Sequence, residues 1–260
     1  MADSGSMLRA ILPAIATVAV AYLGLCAGLF LFQRYLIYLP QPGSDGGAAG
    51  TIALSSAGAT LRVSVRPRAG PNALVYFGGN AEDVSLNLPT FAARLHDHAI
   101  YLLHYRGYGG SSGHPSEDAI ARDALALFDL VRETHRHIVV VGRSLGSGPA
   151  VRVASLRPAS RLVLITPFDS LADLAARQFP FLPVRWLLRD KYESWRYAPR
   201  VSAPTLILAA EHDEVVPRSS TELLYTRFAK GVASLEVLAG TSHNTISESP
   251  RYLPLIHGGP

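Results

Sequence analysis

Apolar and polar positions fall along this chain in blocks of three kinds. The first is one long run: no residue between Arg9 and Arg34 is charged, and residues 10–32 are apolar apart from Thr17. At about 1.5 Å per residue, a helix over this run is roughly 34 Å long, enough to cross a bilayer. The second kind is short and apolar throughout, as in Leu162-Val163-Leu164-Ile165 and Leu206-Ile207-Leu208. Such runs suit parallel strands covered on both faces. The third kind is longer, with apolar residues at helical spacing. The pattern predicts strands at residues 51–54, 60–65, 73–77, 99–104, 138–141, 161–165, 205–209 and 234–238. It predicts helices near 83–96, 116–135, 145–156, 171–188, 219–230 and 250–256.

Two strands followed by repeated strand–helix units imply an α/β architecture, a doubly wound, mostly parallel sheet of eight strands. The expected organisation is a tail at residues 1–9, a transmembrane anchor at 10–33 and a juxtamembrane linker at 34–50. One α/β domain then covers 51–260, with a short cap at about 170–198. Glycine, proline and small residues fill 40–50, as in a linker. A cleaved signal peptide is the competing reading of the first segment. The run is long for one, however, and no Ala-x-Ala site closes it. Tyr35 and Tyr38, beside Arg34, suit a headgroup level. Arg9 and Arg34 balance one another, so orientation follows the usual bias of such anchors, with the domain on the non-cytoplasmic side.

Composition narrows the functional classes. The net charge of +4 comes from scattered residues, nearly all arginine, and no basic stripe suggests nucleic acid. A single cysteine, Cys26, excludes an internal disulfide. His96 with His98 and His135 with His137 lack zinc-site spacing, and nothing in the chain calls for a metal or another cofactor.

The chemistry gathers around Gly142-Arg143-Ser144-Leu145-Gly146, which stands between an apolar strand and a helix that opens on small residues. Gly-x-Ser-x-Gly in that setting predicts a sharp turn projecting Ser144 from the carboxyl end of the sheet. The N–H of Leu145, at a helix start, faces the place where an oxyanion forms. Downstream, Asp213 follows the strand at 205–209, and His243 lies in a loop just past the last strand. An acid there can fix the imidazole tautomer, and the imidazole can take the Ser144 proton. Glu211, Glu214 and Asp169 are lesser candidates for the acid, and His257 for the base. A second oxyanion donor is expected from the loop Phe77-Gly78-Gly79-Asn80-Ala81-Glu82, at the N–H of Asn80.

With these residues in the order serine, acid, histidine, the chain resembles the α/β-hydrolase superfamily. It is most similar to the small, amino-terminally anchored branch that includes depalmitoylase-like hydrolases and serine-aminopeptidase-type sequences. The segments Tyr105-Arg106-Gly107-Tyr108-Gly109-Gly110-Ser111 and Thr166-Pro167-Phe168-Asp169-Ser170 add to the likeness, which runs from about Leu36 to His243. The resemblance implies triad roles for Ser144, Asp213 and His243 and oxyanion roles for Asn80 and Leu145. One departure is Gly78, where the family often has a histidine that orders the loop. The Tyr105–Ser112 segment reads as a structural turn beside the site.

The cap sequence Phe179-Pro180-Phe181-Leu182-Pro183-Val184-Arg185-Trp186 is unusually apolar. Phe181 and Trp186 are therefore candidates for an acyl-chain groove or a membrane-facing lip. The expected protein is a membrane-anchored serine hydrolase acting on esters or thioesters of small or lipid-like acyl substrates. A serine peptidase and a non-catalytic binding protein on the same scaffold are the alternatives.

Overall fold

A computed structural model describes residues 4–43 and 50–258, with side chains from Ile11 onward. Parts of the expected tail (1–3) and linker (44–49), and residues 259–260, lie outside the described residues. Helix α1 (Ser4–Ile37) leads into strands β1 (Gly50–Ser56), β2 (Ala59–Arg66) and β3 (Asn72–Phe77), then α2 (Leu88–Arg94) and β4 (Ala99–Leu103). Next come α3 (Glu117–Arg132), β5 (His137–Arg143), α4 (Ser147–Leu156), β6 (Arg161–Ile165), α5 (Leu171–Gln178) and α6 (Val184–Leu187). The chain closes with β7 (Thr205–His212), α7 (Arg218–Arg227), β8 (Ala233–Ser242) and α8 (Tyr252–His257).

The eight strands form one sheet in the order β1-β2-β4-β3-β5-β6-β7-β8. β2 pairs antiparallel with both β1 and β4, and every other pair is parallel. Alternate strand residues serve opposite faces. Val75, Phe77, Val140, Leu162, Leu164 and Ile207 pack with Ile120, Phe128 and Val151 of α3 and α4. Leu74, Tyr76, Val141, Val163 and Leu208 pack with Leu88, Phe91 and Ile256 of α2 and α8. Two buried faces explain why the central strands are apolar at every position. Each fully buried Leu, Val or Phe contributes roughly 1.5–3 kcal/mol, so the central sheet is a rigid platform for whatever stands at its carboxyl edge.

The long helix predicted at 171–188 is two short ones. Pro180 and Pro183 supply no N–H to the helical ladder, and the chain turns at 179–183 between α5 and α6. Phe181 and Trp186 on this excursion point outward, 87% and 89% exposed.

α1 runs beyond the expected end of the anchor at residue 33, and its last turns dock on the domain. Arg34 donates two bonds to the carboxylate of Asp190, at 2.9 and 3.2 Å. The Tyr38 hydroxyl lies 3.1 Å from the same carboxylate and 2.9 Å from the Tyr192 hydroxyl. Gln33 donates to Leu187 O at 3.1 Å and accepts from the Arg189 N–H at 2.6 Å. The residues read as a linker thus begin as helix and continue as a docked strap, with Gly109 N–H donating to Gln41 O at 2.9 Å. The other end of α1 differs. Ile11, Leu12, Ile15, Val18, Val20 and Leu23 are all exposed, a contiguous apolar flank without cover among the described residues.

Candidate active site

Ser144 stands immediately after β5 with φ at +48°, the left-handed region in which a non-glycine residue is strained by about 1–2 kcal/mol. The surrounding glycines make the turn possible. A Cβ on Gly142 would strike Gly146 and Ala150, and one on Gly146 would strike the carbonyls of Phe77 and Gly78. The Ser147 hydroxyl donates to Ser144 O at 2.6 Å and tightens the same turn. Packing in the sheet supplies the restraint that holds this strain.

His243 lies in the loop after β8, with Nε2 3.0 Å from Ser144 Oγ. Its Nδ1 is 2.9 Å from each carboxylate oxygen of Asp213. An ionised carboxylate only accepts, so the proton belongs on Nδ1 and the Nε2 lone pair faces the serine. Asp213 Oδ1 also accepts from the N–H groups of Val215 and Val216, at 3.0 and 2.7 Å. The side chains of Asp213 and His243 are only 4% and 8% exposed, so water screens their interaction little.

The other acidic candidates have different places. Glu214 accepts from the His243 N–H at 3.3 Å and Glu211 from the Gly240 N–H at 2.7 Å, so both brace the histidine loop. Asp169 pairs with Arg227 at 3.4 Å, and burial pushes its carboxyl above the usual range. His257 is 3.8 Å from Asp97. Asp97, His98 and His257 bring one ligand atom each within 4.8 Å of one another. This cluster sits before the first residue of β4, at the sheet edge opposite Ser144. Asp97 there already pairs with His98 at 2.8 Å and accepts from Asn72 at 3.0 Å.

The loop after β3 packs directly on the serine, for a Cβ on Gly79 would lie 3.7 Å from that of Ser144. Gly79 N–H is engaged by Glu82 Oε2 at 2.5 Å, whereas Asn80 N–H has no acceptor among the described residues. Leu145 N–H lies in the first helical turn, where amides lack an intrahelical partner. The Leu145 amide thus adjoins the serine, and the Asn80 amide follows the glycine that packs on it.

Three supports escape sequence reasoning. Glu82 accepts from Gly79 N–H, from the Tyr76 hydroxyl at 2.7 Å and from Asn87 at 2.6 Å, ordering the loop where Gly78 replaces a histidine. Arg143, a variable position of the serine motif, lies 3.9 Å from Glu82 and donates to His243 O at 3.4 Å, tying the two loops together. The Asn80 side chain donates to Ile37 O at 2.6 Å and accepts from the Leu39 N–H at 3.1 Å and the Tyr108 hydroxyl at 2.8 Å. Burial lifts the Tyr108 phenol to about 12, so it remains a donor at neutral pH. Only the Glu82 contact had a local signal, an acid three residues after a glycine pair.

The Tyr105–Ser112 segment braces this loop from behind. The Tyr105 hydroxyl donates to Gly78 O at 2.8 Å. Arg106 makes a bidentate pair with Asp123, at 2.7 and 2.8 Å.

Residues 69–205 match the sequence model of the alpha/beta hydrolase family. An uncharacterized protein of Mycobacterium tuberculosis is 34% identical over 253 residues, covering 90% of this chain and 88% of that protein. Alpha/beta hydrolase domain-containing protein 17B of Xenopus tropicalis is 29% identical over 196 residues, covering 72% and 66%. Among solved structures, an esterase of Pyrococcus furiosus superposes with a TM-score of 0.67 at 17% identity, covering 85% of this chain and 96% of that one. That likeness concerns the fold alone.

Proposed function

The chain belongs to the alpha/beta hydrolase family, and from that premise we propose that it is a membrane-anchored serine hydrolase cleaving acyl esters or thioesters. The observation that carries the reading is the unbroken line from Asp213 through His243 to Ser144, at 2.9 and 3.0 Å. Ser144 Oγ attacks the acyl carbonyl carbon while His243 Nε2 takes its proton. The carbonyl oxygen becomes an oxyanion between the N–H groups of Asn80 and Leu145, a contribution of about 3–4 kcal/mol per donor. Collapse expels the alcohol or thiol, which receives its proton from His243. Water, deprotonated by the same imidazole, then releases the acid from Ser144. Asp213 stabilises the imidazolium through both steps, its Oδ1 also accepting from the amides of Val215 and Val216. A binding protein on this scaffold has no use for so complete a relay.

The exposed apolar flank of α1 supports anchoring in a membrane, and the helix from Ile11 to Ile37 is long and apolar enough to cross one. Because Arg9 and Arg34 cancel, the orientation rests on the usual bias of such anchors alone, which favours the domain on the non-cytoplasmic face. Purified full-length protein, assayed against p-nitrophenyl esters, acyl thioesters and aminoacyl amides, tests the chemical class. Turnover of esters or thioesters that vanishes in Ser144→Ala supports it. Turnover of amides alone reassigns the protein as a peptidase.

A further inference from the structure

Between the end of α1 and the cap lies an apolar cleft of about 340 Å³. Leu29, Leu36 and Ile37 form one wall and Phe179, Leu182 and Leu187 the other. Gln33 also borders it, but its amide is bound to Phe30 O, Leu187 O and Arg189 N–H and bridges the two walls. Protein interiors tolerate few voids larger than a water molecule, whereas ligand sites measure roughly 300–1,000 Å³. This cleft falls in the second class.

Its two ends define its use. At the inner end, Ile37 O accepts from the side chain of Asn80, the residue after Gly79, where a Cβ would lie 3.7 Å from that of Ser144. Beyond its outer end, between the lining residues Phe179 and Leu182, the Tyr22 hydroxyl donates to Phe181 O at 2.8 Å. A hydrocarbon core of about 30 Å starting at Ala10 reaches residue 30, at about 1.5 Å per residue. Tyr22 therefore lies about 12 Å inside it, and Phe181 with it. This accounts for two large aromatic side chains, Phe181 and Trp186, turned outward from the cap. The cleft wall from Leu29 to Ile37 spans about 12 Å more, from the hydrocarbon boundary to the oxyanion loop.

We propose that this cleft is the acyl-chain site of the enzyme and opens sideways into the membrane leaflet, so that α1 is a substrate-binding wall as well as an anchor. The occupant is the saturated chain of an ester or thioester drawn from the bilayer, its carbonyl seated at Ser144 and its tail lying between α1 and the cap. The inference rests on the reading of Ser144 as nucleophile and of α1 as membrane-crossing.

Full-length protein in phosphatidylcholine nanodiscs, assayed with p-nitrophenyl esters from butyrate to palmitate, tests it. The wild type is expected to gain about fourfold in kcat/KM per added methylene until the cleft is filled. Leu29→Trp and Leu182→Trp, filling the cleft from opposite walls, should each lower the ratio of kcat/KM for decanoate over butyrate by roughly fifteenfold, two methylenes' worth. Leu156→Trp, on the exposed end of α4, should keep the wild-type ratio. In parallel, Ser144→Ala protein is irradiated with a palmitoyl ester carrying a terminal diazirine. Crosslinks in both 29–37 and 179–188, competed by unlabelled palmitoyl ester, support the site. An unchanged chain-length ratio in both tryptophan variants overturns the proposal while leaving Ser144 as nucleophile intact. So do crosslinks confined to the lipid-facing flank at 11–23. Absence of hydrolysis together with absence of fluorophosphonate labelling removes the underlying reading and this one with it.

Discussion

Asn80→Ala separates a loop beside Ser144 that stands alone from one held by α1. The side chain makes three hydrogen bonds, to Ile37 O, Leu39 N–H and the Tyr108 hydroxyl. Leu39 N–H keeps a second acceptor, the Tyr108 oxygen at 2.9 Å, so the variant forfeits two bonds net. At roughly 0.5–1.5 kcal/mol each, the stability lost is about 1–3 kcal/mol. The larger effect is expected on catalysis. Complete loss of an oxyanion donor lowers kcat by about 10²- to 10³-fold. Glu82 still grips Gly79 N–H at 2.5 Å, which limits how far the Asn80 amide drifts. The expected fall is therefore smaller, roughly 10- to 100-fold in kcat, with KM for a short soluble ester little altered. Steady-state kinetics on p-nitrophenyl butyrate, beside urea unfolding of the same preparation, reads both quantities. A variant destabilised as calculated but retaining kcat within a factor of two would refute the coupling between α1 and the oxyanion loop.

Three other substitutions probe the frame. Asp123 is fully buried against Arg106, so Asp123→Ala strands a buried guanidinium and should cost about 3–5 kcal/mol. The melting temperature is then expected to drop by at least about 6 °C, and an unchanged one would contradict the reading of this pair as a brace. Gly146→Ala drives a methyl group into the Phe77 and Gly78 carbonyls. It should abolish ester hydrolysis and destabilise by about 1–3 kcal/mol or more, whereas a fully active alanine variant would mean the turn is looser than described. Burial holds the His104 imidazole at about 4 against an ordinary 6.5. Its folded value is depressed, so the unfolded chain binds more protons between these values. The resulting stability, of order 3 kcal/mol, is present above pH 6.5 and lost as pH falls towards 4. Urea midpoints from pH 7.5 to 4.5 should fall more steeply in the wild type than in His104→Gln, and parallel curves would exclude this histidine as the source.

The sheet was legible because the signal is local: a strand buried on both faces must be apolar at every position, as Leu162–Ile165 is. Ser144, Asp213 and His243 are legible for a related reason, each standing just past the carboxyl end of a strand. The cap reads as one continuous helix in the sequence, although Pro180 and Pro183 interrupt it, because apolar residues keep helical spacing across the break. Phe181 and Trp186 show another limit, since an apolar residue in a short excursion carries no mark of which way it faces. The docking of residues 33–41 was invisible, for its partners Asn80, Asp190 and Tyr192 lie between about 40 and 160 positions away. Arg34 in particular reads as an interfacial anchor until Asp190 is seen beside it.

Fluorophosphonate labelling of the membrane fraction is the direct test of Ser144 as an activated nucleophile. Wild-type protein should label and Ser144→Ala should not, since the reagent reports a serine whose proton a neighbouring base accepts. Folded wild-type protein that resists the reagent, or a Ser144→Ala variant that labels equally, would contradict this role for Ser144.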